Sequence, residues 1–362
     1  MFTRWLPLTL LTLIATPAWS QSWSIDDVTR WAAECCVAAS VLHAEGDAAF
    51  ASIDRDDRSQ CAQANLVRGL TSDVASRECQ KCVADARVAF HQIVGLQSQR
   101  ELLVIATQTT QQLVRFADKA TELGIKDGSR IEYERKRLDV ADQMVDVDAK
   151  IAKLRVALAG YTNRSFADAM IATMQQPSDA PEILASRDEA IASGRTHRGD
   201  LKAIERICRC LSTDTLPVAR QAMSSLQPGV GIAIASSARR GMLASLHGND
   251  SDSAEWCRRK TQCAAIRDAK QRQVDGEVLV AHIDYHAAIS SLAIAEEQTT
   301  LGDDLVRQTD QAIEFGEATP GSDLLVKLDR LALDGKRLQR TVAVRVAGVQ
   351  LDLAMGILVV PE

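Results

Sequence analysis

The chain has 362 residues and a formal net charge of −6. An acidic chain lacks the basic surface that nucleic acids require, so we expect no nucleic-acid partner. Hydrophobic residues make up 46% of the chain but aromatic residues only 4%. This composition is typical of narrow seams between helices, which are filled by Ala, Leu and Val, and not of a thick globular core.

Residues 1–20 have the pattern of a secretory signal peptide. Arg4 precedes an apolar run, and Ala18 and Ser20 supply the small residues of a cleavage site. The apolar run has about ten residues, fewer than the ~20 that a membrane-spanning helix needs. We expect no later apolar segment to reach that length. We therefore expect an exported protein whose mature chain begins near Gln21.

The region after the signal predicts two shorter helices and then a very long one. Ser24 can cap a helix over residues 25–45, and a polar connection leads to a short helix over residues 61–70. A longer helix is predicted over residues 72–123, where Gly95 is the only glycine and proline is absent. At 1.5 Å per residue it would extend about 78 Å.

The long helix and the segment after it predict an antiparallel coiled-coil hairpin. Both arms repeat apolar residues at alternating spacings of four and three, which is the heptad pattern of a helix seam. The predicted seam consists of Leu102, Ala106, Thr109, Leu113, Phe116, Ala120 and Leu123 on the first arm, and Tyr133, Arg137, Val140, Met144, Val147, Ile151, Leu154 and Leu158 on the second. Between the arms, Gly124 and Gly128 supply a turn and Ser129 a helix cap.

The same pattern occurs again around Gly316. The predicted seam enters this second turn through Leu301, Leu305, Gln308, Ala312 and Phe315, and leaves it through Leu324, Leu328, Leu331, Gly335, Leu338 and Val342. Duplication of one supersecondary unit usually determines the architecture of a chain. The fold class is therefore predicted to be mainly α, with two repeats of long antiparallel coiled-coil hairpins and little or no β structure.

The repeats also suggest the domain organisation. Residues 21–160 would form the first hairpin repeat, residues 161–186 a linker and residues 187–362 the second repeat. The best strand candidate is residues 228–237, where small and β-branched residues alternate.

Nine cysteines are many for an exported protein, and an odd number cannot all pair within one chain. In an oxidising compartment we interpret them as candidates for structural disulfides. These candidates are Cys35, Cys36, Cys61, Cys79, Cys82, Cys208, Cys210, Cys257 and Cys263. Cys79 and Cys82 have the spacing of a redox or metal motif and would share one helix face, but they lack the strand-turn-helix setting of a thioredoxin site.

The sequence offers no pattern of an enzyme. No histidine accompanies a serine or cysteine nucleophile motif, and no glycine loop cradles a phosphate. His282 and His286 have a metal-compatible spacing, but without a clear third ligand we interpret them as a polar helix face. We therefore predict no catalytic residue, no cofactor and no metal, with a disulfide- or metal-using protein built on the cysteine clusters as one alternative.

The hairpins, their order and their duplication resemble the TolC-type bacterial outer-membrane efflux protein family over most of the mature chain. Residues 120–160 and 312–356 are similar to the family pattern of a long helix, a glycine turn and a second helix ending near Leu-Gly. The step from Arg198 to Leu201 is similar to the Arg-x-Asp-Leu step of the family's inter-repeat element. In the family, four β-strands per protomer form a membrane barrel; residues 47–72 lack a strand pattern here, and residues 229–236 offer one candidate.

The resemblance implies an efflux or export channel component at the outer membrane or in the periplasm. It would be a homotrimer that forms a passive tunnel and works with a periplasmic adaptor and an inner-membrane pump. The adaptor would dock at the hairpin tips, which comprise Leu123, Gly124, Ile125, Asp127, Gly128, Ser129, Phe315, Gly316, Gly321 and Ser322. Two alternatives remain: Gly124 and Gly316 serve only as turn residues, or the chain is a periplasmic coiled-coil scaffold that keeps the helical fold without a pore.

Overall fold

The computed structural model describes residues 23–51, 53–54, 56–123, 129–165, 186–226, 250–317 and 321–359. The described residues form nine α-helices. They are α1 (Ile25–Glu34), α2 (Val37–Ala51), α3 (Arg58–Glu122), α4 (Ser129–Thr162), α5 (Arg187–His197), α6 (Gly199–Cys210), α7 (Leu216–Leu226), α8 (Asp250–Glu314) and α9 (Ser322–Met355). The predicted signal peptide and the strand candidate at residues 228–237 lie outside the described residues, as does most of the predicted linker.

Two long hairpins dominate the fold and confirm the predicted fold class. In each hairpin a helix of 65 residues is followed by a helix of 34 residues: α3 and α4 in the first copy, α8 and α9 in the second. A helix of 65 residues is about 98 Å long at 1.5 Å per residue. The duplication seen in the sequence is therefore a duplication of helix lengths as well.

The helix boundaries before the first hairpin were predicted wrongly. The segment over residues 61–70 is not a separate helix, because α3 begins at Arg58 and continues without interruption to Glu122. Asp57 caps it: one carboxylate oxygen accepts hydrogen bonds from the backbone N–H groups of Ser59 at 2.8 Å and Gln60 at 3.1 Å. No proline interrupts the helix, and Gly69 lies where the Arg206 side chain crosses α3.

The predicted helix over residues 25–45 is also two helices. Ser24 caps α1 as expected, forming a capping box with Asp27. The chain then breaks at Cys35 and Cys36, and α2 continues to Ala51. The break turns the Cys36 side chain inward, where only 4% of the residue is exposed.

The four long helices lie side by side in the order α4, α3, α9, α8. The central pair, α3 and α9, joins the two hairpins, while α4 packs mainly on α3 and α8 mainly on α9. Away from the tips, α1 and α2 pack on α3, α5 packs on α8, and α6 packs on both α3 and α8. The largest buried apolar cluster joins α1, α3, the end of α4 and the end of α9 around Val28, Trp31, Phe90, Leu158 and Val349.

The seam of the first hairpin agrees well with the prediction. Leu113, Val147 and Leu158 are 0–2% exposed, and the other buried apolar residues follow the predicted rhythm within one position. Leu123 differs, with 79% exposure, because it lies beyond the last helical turn.

The seam of α8 was predicted one residue out of register. Leu301 and Leu305 are 63% and 49% exposed. Gly302 faces α9 instead, and a Cβ atom there would lie 2.8 Å from Cδ1 of Leu333. The missing side chain lets α9 approach α8 closely at this position, and the two leucines beside it remain exposed.

Candidate functional site

The tip of the second hairpin is built by a glycine-terminated helix end. The Gly316 N–H donates to the carbonyl of Ile313 at 3.0 Å, and the Glu317 N–H donates to the carbonyl of Ala312 at 2.8 Å. With Gly316 at φ 73°, this pair of bonds is the Schellman motif. It ends α8 abruptly and leaves Phe315 at the tip with 77% exposure.

The first tip is described up to Leu123 and again from the start of α4. Leu123 is 79% exposed and Ile131, in the first turn of α4, is 80% exposed. Gly124, Ile125, Asp127 and Gly128 lie outside the described residues, and of Ser129 only its place as the first residue of α4 is described. An ion pair of 2.6 Å between Asp118 and Arg130 links the two arms next to this tip.

The two tips support each other. Gly321 has φ 96°, and a Cβ atom at this position would lie 3.2 Å from the ring of Phe116 on α3. The hydroxyl of Ser322 is enclosed and has no hydrogen-bond partner among the described residues. The turn between α8 and α9 therefore rests on the first hairpin, and its exposed apolar group is Phe315.

Substitution of the tip glycine tests this geometry. Gly316→Ala is expected to lower the free energy of unfolding by about 1–2 kcal/mol, because an L residue is strained at positive φ. The matched control is Gly335→Ala, in the interior of α9, where a Cβ atom would meet no other atom within 4 Å. That change should raise stability by about 0.5–1 kcal/mol through helix propensity. Urea unfolding of both variants measures the difference, and equal effects would contradict the assigned turn.

A second feature lies at the opposite end of the hairpins, where α3, α8, α9 and the α5–α6 junction meet. Arg198, 2% exposed, lies between two carboxylates: Asp200 at 2.5 Å and Glu277 of α8. Lys270 contacts the same Asp200 at 2.9 Å. Burial alone would raise the pKa of Asp200, but the hydrogen bonds from Arg198 and Lys270 outweigh it and hold that pKa well below its usual value.

Close backbone contacts complete this junction. A Cβ atom on Gly199 would lie 2.1 Å from the backbone oxygen of Asp73 on α3, and one on Gly356 would lie 2.9 Å from the backbone nitrogen of Arg198. Arg77 and Gln80 of α3 donate hydrogen bonds to the carbonyls of Leu353 and Gly356 at the end of α9, at 2.5 and 2.9 Å. The Arg-x-Asp-Leu step thus fixes the α5–α6 junction on α8 and α9 with its Gly199 backbone against α3, and Leu201 is its buried anchor, 1% exposed.

The third feature is an apolar stripe on each edge helix. The α4 stripe contains Ile131, Leu138, Val145 and Val156, which are 55–80% exposed and spaced by seven, seven and eleven residues. The α8 stripe contains Val280, Ile283, Ile294, Leu301 and Leu305, which are 49–63% exposed and spaced by three, eleven, seven and four. These spacings follow the heptad rhythm of a helix that packs against another helix.

Each stripe faces away from its own hairpin. On α4 the buried residues Val140, Val147, Ile151 and Leu158 lie on the opposite side from Val145. On α8 the buried Ala295 and Thr299 lie about 100° and 140° around the helix from Ile294, so the stripe is turned away from them. The two stripes therefore form the outer edges of the four-helix unit, and none of the described residues covers them.

By length and composition, the described segment Ala254–Glu314 of α8 could also cross a membrane. This corrects the sequence interpretation that no later segment is apolar enough. Only 17% of the apolar 18-residue stretch within this segment is buried. The exposed residues of the α8 stripe contribute to this low burial.

Comparison with solved structures assigns this arrangement to a known fold. The chain is similar to the CmeC outer membrane channel of Campylobacter jejuni, with a TM-score of 0.66 and 8% identity over 92% of this chain and 85% of that one. It has the TolC-like channel fold. The MtrE outer membrane channel of Neisseria gonorrhoeae matches with a TM-score of 0.64 and 10% identity, over 92% and 89% of the two chains.

CusC, solved in a study of folding and transmembrane channel formation, matches with a TM-score of 0.67 and 11% identity, over 92% of both chains. No protein-family model matches the sequence. A search of curated proteins also finds no match. The likeness of the TolC-like chain to these channels is therefore one of fold, at identities of 8–12%.

The candidate cysteines of this TolC-like chain fall into different environments. Cys208 of α6 and Cys263 of α8 form a disulfide. Cys36, Cys79 and Cys82 lie together between the α1–α2 junction and α3. Cys35 donates its S–H to the carbonyl of Thr162 at 3.3 Å. Of the remaining candidates, Cys61 is partly exposed, and Cys210 and Cys257 are exposed.

The metal alternative gains no geometric support from the described part of the chain. No group of three or more His, Cys, Asp or Glu side chains there could hold a metal ion. The rings of His282 and His286 lie 4.5 Å apart on α8.

Proposed function

We propose that the chain is the tunnel-forming subunit of a TolC-like export channel, a homotrimer that works at the outer membrane with a periplasmic adaptor and an inner-membrane pump. The observation that carries this proposal is the pair of apolar stripes on α4 and α8. Because they lie on opposite edges of one unit, a contact between the α8 edge of one copy and the α4 edge of the next is heterologous. Such contacts close into a ring when the rotation between copies permits it.

Closure of the ring would bury both exposed stripes of every copy. Full burial of an aliphatic side chain contributes about 1.5–3 kcal/mol, so several residues on each edge supply ample stabilisation for association. In a homotrimer, the four long helices of each copy would build one tubular wall. The tunnel supplies a path, and no side chain performs chemistry in this proposal.

The short connection between α2 and α3 limits what the first repeat could contribute to a membrane-spanning part. Between the end of α2 at Ala51 and the start of α3 at Arg58 there are six residues. A single membrane-spanning strand needs about 9–11 residues. In the first repeat, this connection is shorter than even one such strand.

Fractionation of the native protein in its own host tests the proposal. The expected result is recovery in the outer-membrane fraction, with a native mass of three chains after extraction. A soluble periplasmic single chain would contradict the channel and would support the scaffold alternative. The mass must be measured without reduction, because Cys208–Cys263 joins α6 to α8.

Tip substitutions test adaptor docking separately. Leu123→Glu and Phe315→Glu should leave the free energy of unfolding within about 0.5 kcal/mol of wild type, since both side chains are largely exposed. They should abolish photo-crosslinking between a probe at Ile125 and the host's periplasmic adaptor. Thr300→Glu, an exposed change on the body of α8, is the control and should leave crosslinking intact. Unchanged crosslinking in both tip variants would reject docking at the tips.

A further inference from the structure

Three thiols meet where the α1–α2 junction packs on α3. Sγ of Cys36 lies 3.0 Å from Sγ of Cys82. Cys79 is one helical turn before Cys82 on the same face of α3, and its Sγ is 3.9 Å from the carbonyl of Ala33 at the end of α1. The three side chains share one apolar cluster with Ala39 and Ala75.

We propose that this cluster is an oxidation site in which Cys36 forms a disulfide with Cys82. Cys79 is a third thiol that can replace Cys82 as the disulfide partner of Cys36. A disulfide bond is about 2.05 Å long, so the two sulfur atoms need to approach by only about 1 Å. Cys36 is the shared partner, because it is near both Cys79 and Cys82. The site is independent of the proposed channel function.

The reaction requires an external disulfide as oxidant, such as glutathione disulfide or the disulfide of an oxidoreductase. One protein thiolate attacks the oxidant, forms a mixed disulfide and expels the first oxidant thiolate. The second protein thiolate then attacks the protein sulfur of the mixed disulfide and expels the second oxidant thiolate. The two protons lost by Cys36 and Cys82 end on the two oxidant thiols, so the protein is oxidised by two electrons and the oxidant is reduced by two.

Exchange within the site needs no further oxidant. The thiolate of Cys79 attacks Sγ of Cys36, forms Cys36–Cys79 and releases Cys82 as the leaving thiolate. Burial raises the pKa of Cys79 to about 11 and that of Cys82 to about 12. Both are therefore mainly protonated thiols at neutral pH, so formation and exchange of the bond are slow there and become faster as the pH rises and the thiolate fraction grows.

The bond would tie the N-terminal helices to the first hairpin. Cys36 belongs to the break between α1 and α2, and α1 contributes Val28 and Trp31 to the largest apolar cluster. A link from this break to α3 therefore holds the N-terminal segment against the long helix. Together with Cys208–Cys263 in the second half, it would give each repeat one covalent link to its long helix.

Peptide mapping of the full chain tests the site. The purified chain is reduced, desalted, oxidised with glutathione disulfide, alkylated and digested with trypsin. Lys81 separates the two α3 cysteines into peptides 78–81 and 82–87. A Cys35→Ser background removes the ambiguity of the adjacent cysteine in peptide 31–55.

The expected main product joins peptide 31–55 to peptide 82–87, with Cys79 alkylated. In Cys82→Ser the bond should move to Cys79 and join peptide 31–55 to peptide 78–81. Alkylated Cys36 after oxidation of the folded chain would overturn the proposal, as would Cys36 paired with a cysteine outside this cluster. Failure of the Cys82→Ser chain to form Cys36–Cys79 would overturn the exchange role. The first mapping uses the intact three-thiol cluster, so it stands even where a variant folds poorly.

Discussion

Ile294→Glu is expected to convert the assembled protein into single chains. The side chain lies in the middle of the α8 stripe and is 57% exposed in the isolated chain. Because just over half of the side chain is left to bury, its loss removes about 1–2 kcal/mol from each interface, and an unpaired carboxylate in an apolar seam adds a further cost. A ring repeats this penalty at every interface. Light scattering coupled to size-exclusion chromatography measures the mass.

Val145→Glu makes the same test on the α4 edge, where this residue is 67% exposed. Thr300→Glu is the matched control, because it adds the same charge to an exposed position of α8 away from the stripe. All three variants should keep the helix content of the wild-type protein, which shows that each chain still folds. An assembled Ile294→Glu protein would show that the α8 stripe is not an interface.

Mixing the two edge variants distinguishes heterologous from isologous contact. The Val145→Glu chain keeps an intact α8 edge, and the Ile294→Glu chain keeps an intact α4 edge. If α8 of one copy packs on α4 of the next, the mixture should form a complex of one chain of each kind that cannot close into a ring. If α8 packs on α8, Val145→Glu alone should form dimers, and the tubular assembly would be rejected.

The stripes also show what the sequence could and could not predict. The first hairpin was predictable, because its heptad residues are mostly small or aliphatic and no breaker interrupts them between Gly95 and Leu123. In α8 the same rule selected Leu301 and Leu305, which face outward. A hydrophobic pattern predicts that a helix face is buried, but it does not show whether the residues that bury it belong to the same chain. Gly302, small enough for close approach by α9, was the signal that pointed to the true seam.

Other features depended on contacts between distant parts of the chain. No glycine or proline marks the break at Cys35 and Cys36 in the sequence. The break coincides with the packing of Cys36 against α3, a contact between residues far apart in the chain. The sequence identified the Arg-x-Asp-Leu step as a similarity to a family element, but it did not predict the buried ion pairs of Arg198. A fully buried Arg198 cannot be read from local sequence, since its second carboxylate, Glu277, is 79 residues away.

That junction provides the second large expected effect. Arg198→Met keeps most of the side-chain volume but leaves Asp200 and Glu277 without their shared cation. Removal of one partner from a buried ion pair costs about 3–5 kcal/mol, and we expect the lower end because Lys270 still contacts Asp200. Arg195→Met is the control, since Arg195 forms an exposed ion pair with Asp275 of the same helix α8. Its loss should cost less than about 1 kcal/mol.

The pH dependence provides a readout that general packing damage would not give. The pKa of Asp200 is lower in the folded chain than its unfolded value of about 3.9, so on acidification the unfolded chain takes up the proton first. The stability contributed by Asp200 is therefore complete at neutral pH and is lost as the pH falls through the folded pKa. Arg198→Met removes a main cause of the lowered pKa, so the gap between wild type and variant should narrow from pH 7 to pH 3. Urea unfolding at both pH values measures that gap, and a gap that stays constant would show that the charge of Arg198 does not stabilise the junction.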